Sequence, residues 1–221
     1  MKVIITGTTG MIGRGVLLEC LDHQDVSEVL CISRSQTGEK HPKLKELIHA
    51  DFSDFSSVKA QLSGYDACYH CMGVSSAGMS EEKYTPLTYT FTLALAQALF
   101  EINPAMTFIY VSGVGTDSTE KGRIMWARVK GKTENDVLKL GFKQAFMFRP
   151  GGIIPKRGVA PRAKATRNAL KLLGWILPIM KFFSPDSVLD TTSIGLAMIH
   201  LTQKGSEKSI LHPVDINAAA L

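Results

Sequence analysis

Lys130 follows Trp126 by four residues in the segment Trp126-Ala127-Arg128-Val129-Lys130-Gly131-Lys132-Thr133-Glu134. A lysine ammonium offers three N–H donors to hydroxyls and anions, whereas an indole N–H donates a hydrogen bond but does not ionise in the usable pH range. The pair can grip a polar ligand, but the indole cannot pass a proton. Ser112 closes an apolar run upstream and adds a hydroxyl. A serine hydroxyl alone is a poor acid and would need a relay through water to Lys130. His70, Tyr84, Tyr89 and Tyr110 are the other side chains able to carry a proton. His70 lies in an apolar run and reads as a buried histidine with its hydrogen bonds met.

A second constellation opens the chain: Gly7-Thr8-Thr9-Gly10-Met11-Ile12-Gly13, after the apolar run 2–6 and before a helical pattern. Three glycines at this spacing, between a strand and a helix, read as the phosphate-binding turn of a dinucleotide site. Gly7 permits the tight turn, Gly10 lets the backbone approach a pyrophosphate, and Gly13 lets the helix pack close to the strand. The helix start then presents free N–H groups and a partial positive charge to the phosphates. Cofactor choice is set near the end of the second strand, where a carboxylate would take the ribose 2′-hydroxyl of NAD. Ser33-Arg34-Ser35 stands there instead. A guanidinium can clamp a 2′-phosphate, so NADP rather than NAD is the expected cofactor.

The elements that must position these groups follow from the apolar runs. Runs at 2–6, 29–33, 47–50, 67–72, 106–111 and 145–148 read as strands, and the stretch that follows Gly13 through Leu21 and the stretches 56–62, 81–102 and 124–140 read as helices. Strands alternating with helices build βαβ units, and right-handed crossovers make the doubly wound α/β parallel sheet (the Rossmann fold) the economical solution. No linker or repeat divides residues 1–221, so a single domain is expected. Beyond Gly152 the composition shifts to a Pro-, Lys- and Arg-rich stretch (155–171), an apolar stretch (172–183), a helix near 191–201 and a short strand near 209–211. These late segments are expected to form a small helical substrate side of the cleft.

Taken together these residues resemble the atypical short-chain dehydrogenase/reductases, most closely the small epimerase/dehydratase-like proteins related to the Tat-interacting protein oxidoreductases. The resemblance covers roughly residues 1–155 well and the remainder in outline. It implies that Asp51-Phe52 contacts adenine, that Met72-Gly73 forms a backbone platform beside the cofactor, and that Ser112 lies in the catalytic serine region. It further implies that Phe148-Arg149-Pro150-Gly151 passes the nicotinamide ribose, placing Pro150 and Gly151 at the cofactor. In that group a tyrosine–lysine pair sits in a Val-Lys-Gly-x-x-Glu context, so Lys130 is assigned to the ribose hydroxyls and Trp126 occupies the tyrosine position. The implied activity is NADP-dependent hydride transfer with a small carbonyl or alcohol, with Ser112 orienting the substrate oxygen. Loss of the tyrosine keeps a second reading open: a regulatory or scaffold protein that senses NADP without turnover.

Composition bounds the remaining choices. A hydrophobic fraction of 45% and a charged fraction of 20% are ordinary for a globular protein, and a net charge of +5 suits an anionic ligand. No basic stripe interleaved with aromatics points to nucleic acid. Cys68 and Cys71 form a C-x-x-C on a strand, where residues three apart point to opposite faces, so neither a metal site nor a redox pair is expected. The chain enters its first strand at once, so no signal peptide, a cytoplasmic location and reduced cysteines are expected. The basic stretch holding Lys156, Arg157, Arg162, Lys164, Arg167 and Lys171, with the apolar stretch after it, reads as cleft-covering helices rather than as a peripheral membrane segment. It is too short to cross a bilayer. A monomer or a homodimer pairing through the two long helices is expected.

Overall fold

Five short strands of Val, Ile, Phe, Tyr and Cys are buried on both faces, as a parallel sheet covered by helices requires. The computed structural model describes residues 1–160 and 188–221. In chain order it contains β1 (Lys2–Thr6), α1 (Met11–Asp22), β2 (Glu28–Ser33), β3 (Leu44–Ile48), a 3₁₀ segment (Ser56–Leu62) and β4 (Ala67–His70). There follow α2 (Glu81–Thr85), a π-helical segment (Pro86–Thr90), α3 (Phe91–Ile102), β5 (Thr107–Val111), α4 (Met125–Leu140) and β6 (Gln144–Phe148). The remainder is β7 (Gly152–Ile154), β8 (Val188–Asp190), α5 (Thr191–Lys204), β9 (Ile210–Leu211) and α6 (Pro213–Ala219).

The main sheet runs β3-β2-β1-β4-β5-β6-β9, parallel throughout, and β7 pairs with β8 in a separate two-stranded sheet. This is the doubly wound α/β fold. Strand order reverses between β1 and β4, the switch point outside whose carboxyl ends ligands bind in open α/β sheets. One core packs α1 and α5 (Val16, Leu17, Cys20, Ile194, Met198) on Val3, Ile5, Val29 and Cys31. The other packs α3 and α4 (Leu95, Leu99, Val137) on Ile4, Ile32, Cys68 and Phe108. Cys68 thus belongs to one face while Cys71 packs against the other, and all four cysteines are free thiols.

Three departures from the sequence reading have local causes. β3 begins at Leu44, ahead of the run 47–50, because this edge strand is half exposed and its Lys45 and Glu46 hide the apolar pattern. The helix expected over 81–102 carries a π segment where Pro86, lacking an N–H, interrupts the ladder, and the Phe91 N–H reaches back five residues to the Pro86 carbonyl. β7, β8 and α6 are too short to leave a periodic signal. The segment 161–187, which holds most of the basic and apolar stretch, lies outside the described residues. Among the described residues no helix is long and apolar enough to cross a membrane.

Candidate functional site

The turn between β1 and α1 can be built only with glycine at two of its positions. Gly7 has φ +72°, and a Cβ there would sit 2.6 Å from the Cys71 carbonyl and the Met72 nitrogen at the end of β4. A Cβ on Gly13 would lie 2.3 Å from the Gly7 oxygen, so helix and turn touch backbone to backbone. The Gly10 N–H closes the turn on the Gly7 carbonyl at 2.9 Å. Gly10 starts α1 with no side-chain cap, and the first turn carries no acidic residue. The helix therefore presents open N–H groups with no carboxylate to repel an anion. Thr8 is buried beneath the turn, while Thr9, Met11 and Ile12 are half exposed along it. This cradle fits a dinucleotide pyrophosphate.

Around it, Arg34 stands exposed beyond the end of β2 and makes no ion pair among the described residues. Arg14, on the first turn of α1, is paired with Glu39 at 2.5 Å. Past β4, Met72 is half exposed and Gly73 exposed, and the Met72 backbone abuts Gly7. Past β6, the Pro150 carbonyl accepts the Val114 N–H at 3.0 Å, and Gly151 is exposed. Asp51 is exposed past β3 and folded onto Ser53, whose hydroxyl and N–H hold its carboxyl below the usual range. Phe52, expected with Asp51 at the adenine, turns its ring inward, buried among Phe55, His49 and Phe91 at centroid distances of 5.6, 6.0 and 6.3 Å.

On the other side of the switch point, α4 projects Lys130 toward the end of β5, where its Nζ donates to the Ser112 carbonyl at 2.6 Å. Desolvation lowers Lys130 to about 8, against the opposing charge of Glu134. The Ser112 hydroxyl, expected to orient a substrate oxygen, is buried and lies within hydrogen-bond distance of Glu134 Oε1 and of the Phe148 carbonyl. Glu134 is fully buried and ion-paired with Arg149, whose Nε lies 3.1 and 3.2 Å from the two carboxylate oxygens. Both residues lie in motifs legible in the sequence, Glu134 closing the Val-Lys-Gly-x-x-Glu stretch and Arg149 in the turn after β6, but their pairing with each other is not legible there. The signal of that pairing was faint: a charge on the buried side of α4 and another at the end of a buried strand.

Trp126 is partly exposed on α4, and its ring edge rests on Gly115, where an added Cβ would lie 3.3 Å from Cη2. Gly115 has φ +89°, so the loop bends under the indole without a side chain of its own.

The other candidate proton carriers are committed elsewhere. Thr92 Oγ1 donates to the Thr88 carbonyl, so it can only accept from His70 Nε2 at 3.0 Å. That leaves His70 Nδ1 to accept from Thr6 Oγ1 at 2.8 Å. Burial, and then the nearby Lys130 charge, lowers His70 to about 3, so it stays neutral. Tyr84 and Tyr110 are buried with their phenols pushed up. Tyr89 donates to Asp136 at 2.9 Å and lies under the Lys132 ammonium.

Comparison with known proteins adds to this geometry. The model of the NAD dependent epimerase/dehydratase family matches residues 3–121. Protein FMP52, mitochondrial, of Candida albicans is 24% identical over 213 residues, covering 93% of this chain and 89% of that protein. Protein fmp52, mitochondrial, of Emericella nidulans is 28% identical over 171 residues, covering 74% and 72%. The Bordetella bronchiseptica enzyme WbmF in complex with NAD+ shares the fold at a TM-score of 0.70 and 14% identity, over 99% of this chain and 76% of that one. A short chain dehydrogenase family protein from Francisella tularensis gives 0.67 at 15% identity, over 100% and 99%. The cytoplasmic expectation does not stand, because these curated relatives are named mitochondrial. That expectation rested on the early start of β1, and the position of a strand does not report a compartment.

Proposed function

Because the chain belongs to the NAD dependent epimerase/dehydratase family, we propose that it binds NADP(H) at the carboxyl edge of its sheet and acts there as an oxidoreductase on a small carbonyl or alcohol. The observation that carries this reading is the turn at Gly7, Gly10 and Gly13, closed backbone to backbone beneath an uncapped helix start. In this reading the Gly7–Gly13 turn, with Thr8, Thr9, Met11 and Ile12, holds the pyrophosphate. Arg34 holds the 2′-phosphate, and Asp51 borders the adenine end. Met72 and Gly73 form the platform beside the nicotinamide, Pro150 and Gly151 flank its ribose, and Lys130 takes the ribose hydroxyls. The bound nicotinamide supplies hydride donation or acceptance. The chain supplies placement and, through Lys130 and water, a slow proton path. Ser112 supports Lys130 with its carbonyl rather than touching substrate. A mitochondrial location comes to this chain from the names of its relatives.

A second reading, NADP sensing without turnover, is favoured by one set of observations: the indole at position 126, the committed Ser112 hydroxyl and the locked His70. Titrating the purified protein with NADPH and NADH separates the possibilities. NADPH is expected to bind at least about tenfold more tightly, and Arg34→Ala to erase most of that preference, consistent with one charge-assisted phosphate contact. Equal affinities that survive Arg34→Ala would overturn the NADP assignment, and binding of neither would overturn the cofactor site. With binding in hand, turnover on aldehydes, ketones or quinones supports the oxidoreductase, and its absence across the panel supports the sensor.

A further inference from the structure

The polar groups buried beneath Lys130 form one connected set. Lys130 Nζ is held by the Ser112 carbonyl at 2.6 Å. Ser112 is fixed at three points: its N–H donates to the Phe148 carbonyl at 2.8 Å, and its hydroxyl lies 3.0 Å from that carbonyl and next to Glu134 Oε1. Glu134 lies one helical turn beyond Lys130 on α4, with a side chain wholly removed from solvent, and receives the Arg149 guanidinium through Nε and Nη2. Arg149 is tied in turn to Ser118 by Nη2 and to the Leu211 carbonyl by its N–H at 2.9 Å. A buried carboxylate with four donor contacts from two residues is costly to desolvate and is expected where its charge or its geometry is used.

The groups facing this set come from every neighbouring element. His70 of β4 acts on Lys130 but is neutral. Tyr110 of β5 faces Glu134 and Tyr84 of α2 faces Tyr110, both with phenols pushed up and therefore uncharged. Arg149 follows β6 and is a cation. Among the described residues Glu134 is thus the anion that Lys130 faces. We propose that Glu134 is the positioning residue of this site, anchoring the Ser112 main chain that holds the Lys130 ammonium and supplying the buried negative charge which that ammonium faces. The inference rests on Lys130 serving the cofactor, but the behaviour of Lys130 itself can be read without any cofactor.

The experiment follows the Lys130 resonance by NMR in protein carrying ¹³Cε-labelled lysine, identified by its loss in Lys130→Arg. In the native protein it should titrate near 8. In Glu134→Gln the midpoint should fall by about one unit or more, since an opposing charge is gone from a desolvated site. In Arg149→Lys, which keeps the carboxylate, it should stay within about half a unit. Glu134→Gln combined with Arg149→Met does not strand the Arg149 guanidinium without its carboxylate, so it is the second variant where the single one fails to fold, and it should show the lowered midpoint too. A midpoint unchanged in the carboxylate-free variants overturns the proposal. NADPH affinity measured against pH is the second readout. It should weaken as pH rises through about 8 in the native protein, and at lower pH once Glu134 is neutral. If the Lys130 midpoint moves while neither NADPH nor NADH binds, the cofactor reading fails and the role of Glu134 stands.

Discussion

At the scale of single residues, Trp126 and Lys130 share one stretch of α4 and divide its chemistry. Lys130, lowered to about 8 by desolvation, can exchange a proton near neutral pH; the indole four residues earlier cannot. The side chains that might have replaced a phenol are each spent: His70 between two threonines, Tyr89 on Asp136, and Tyr84 and Tyr110 inside the core. Carbonyl reduction is therefore expected to be limited by proton delivery. Trp126→Tyr, with NADPH and an active aldehyde or ketone, should raise kcat by about two orders of magnitude, the lower end of the range for a positioned general acid. NADPH affinity should be little changed. A variant that binds normally and gains nothing would show that protonation is not the slow step.

At the scale of elements, α4 and the loop that precedes it behave as one body. A Cβ on Gly131 would sit 1.8 Å from the Asp117 carbonyl oxygen, closer than any packing adjustment by a flexible side chain could relieve. The Asp117 N–H donates to the Ala127 carbonyl at 3.0 Å, and its carboxylate gathers Thr119 and Gly122, so this loop cannot simply step aside. Gly131→Ala should accordingly cost about 2–3 kcal/mol or more in urea unfolding, as overpacking does. It should also weaken NADPH binding, because Ser112, the residue that holds Lys130, begins the same loop. A stability loss below about 0.5 kcal/mol would mean the loop is free to move. The Val-Lys-Gly spacing was legible in the sequence, but the contact that demands its glycine was not. Asp117 is fourteen residues away, and only the return of the chain from β5 brings it there.

At the scale of the whole molecule, the proposed cofactor bridges both halves of the sheet, from the β1 turn and Arg34 to Lys130 and Pro150. A ligand that binds only the folded state raises stability by RT ln(1 + [L]/Kd), about 2.7 kcal/mol at a hundredfold excess over Kd. Saturating NADPH should therefore raise the unfolding midpoint by several degrees, and NADH at the same concentration by less. Because the ligand ties β1–β2 to β5–β6, hydrogen exchange should slow at the loops on both sides of the switch point rather than at one. Protection confined to the Gly7–Gly13 turn would place Lys130 outside the site.

The glycine turn, the alternation of strands and helices, and the indole before Lys130 were fixed by the chain's own order, because spacing and periodicity act between near neighbours. The tertiary structure alone decided where side chains spent their hydrogen bonds. Ser112 meets Glu134 twenty-two residues on, Glu134 meets Arg149 fifteen further, and Thr6 meets His70 across sixty-four. Such pairings depend on strand order and on which helix face is buried, and neither leaves a local trace. They turned the Ser112 hydroxyl inward, gave the buried His70 its two threonine partners, and put a buried carboxylate beneath the lysine.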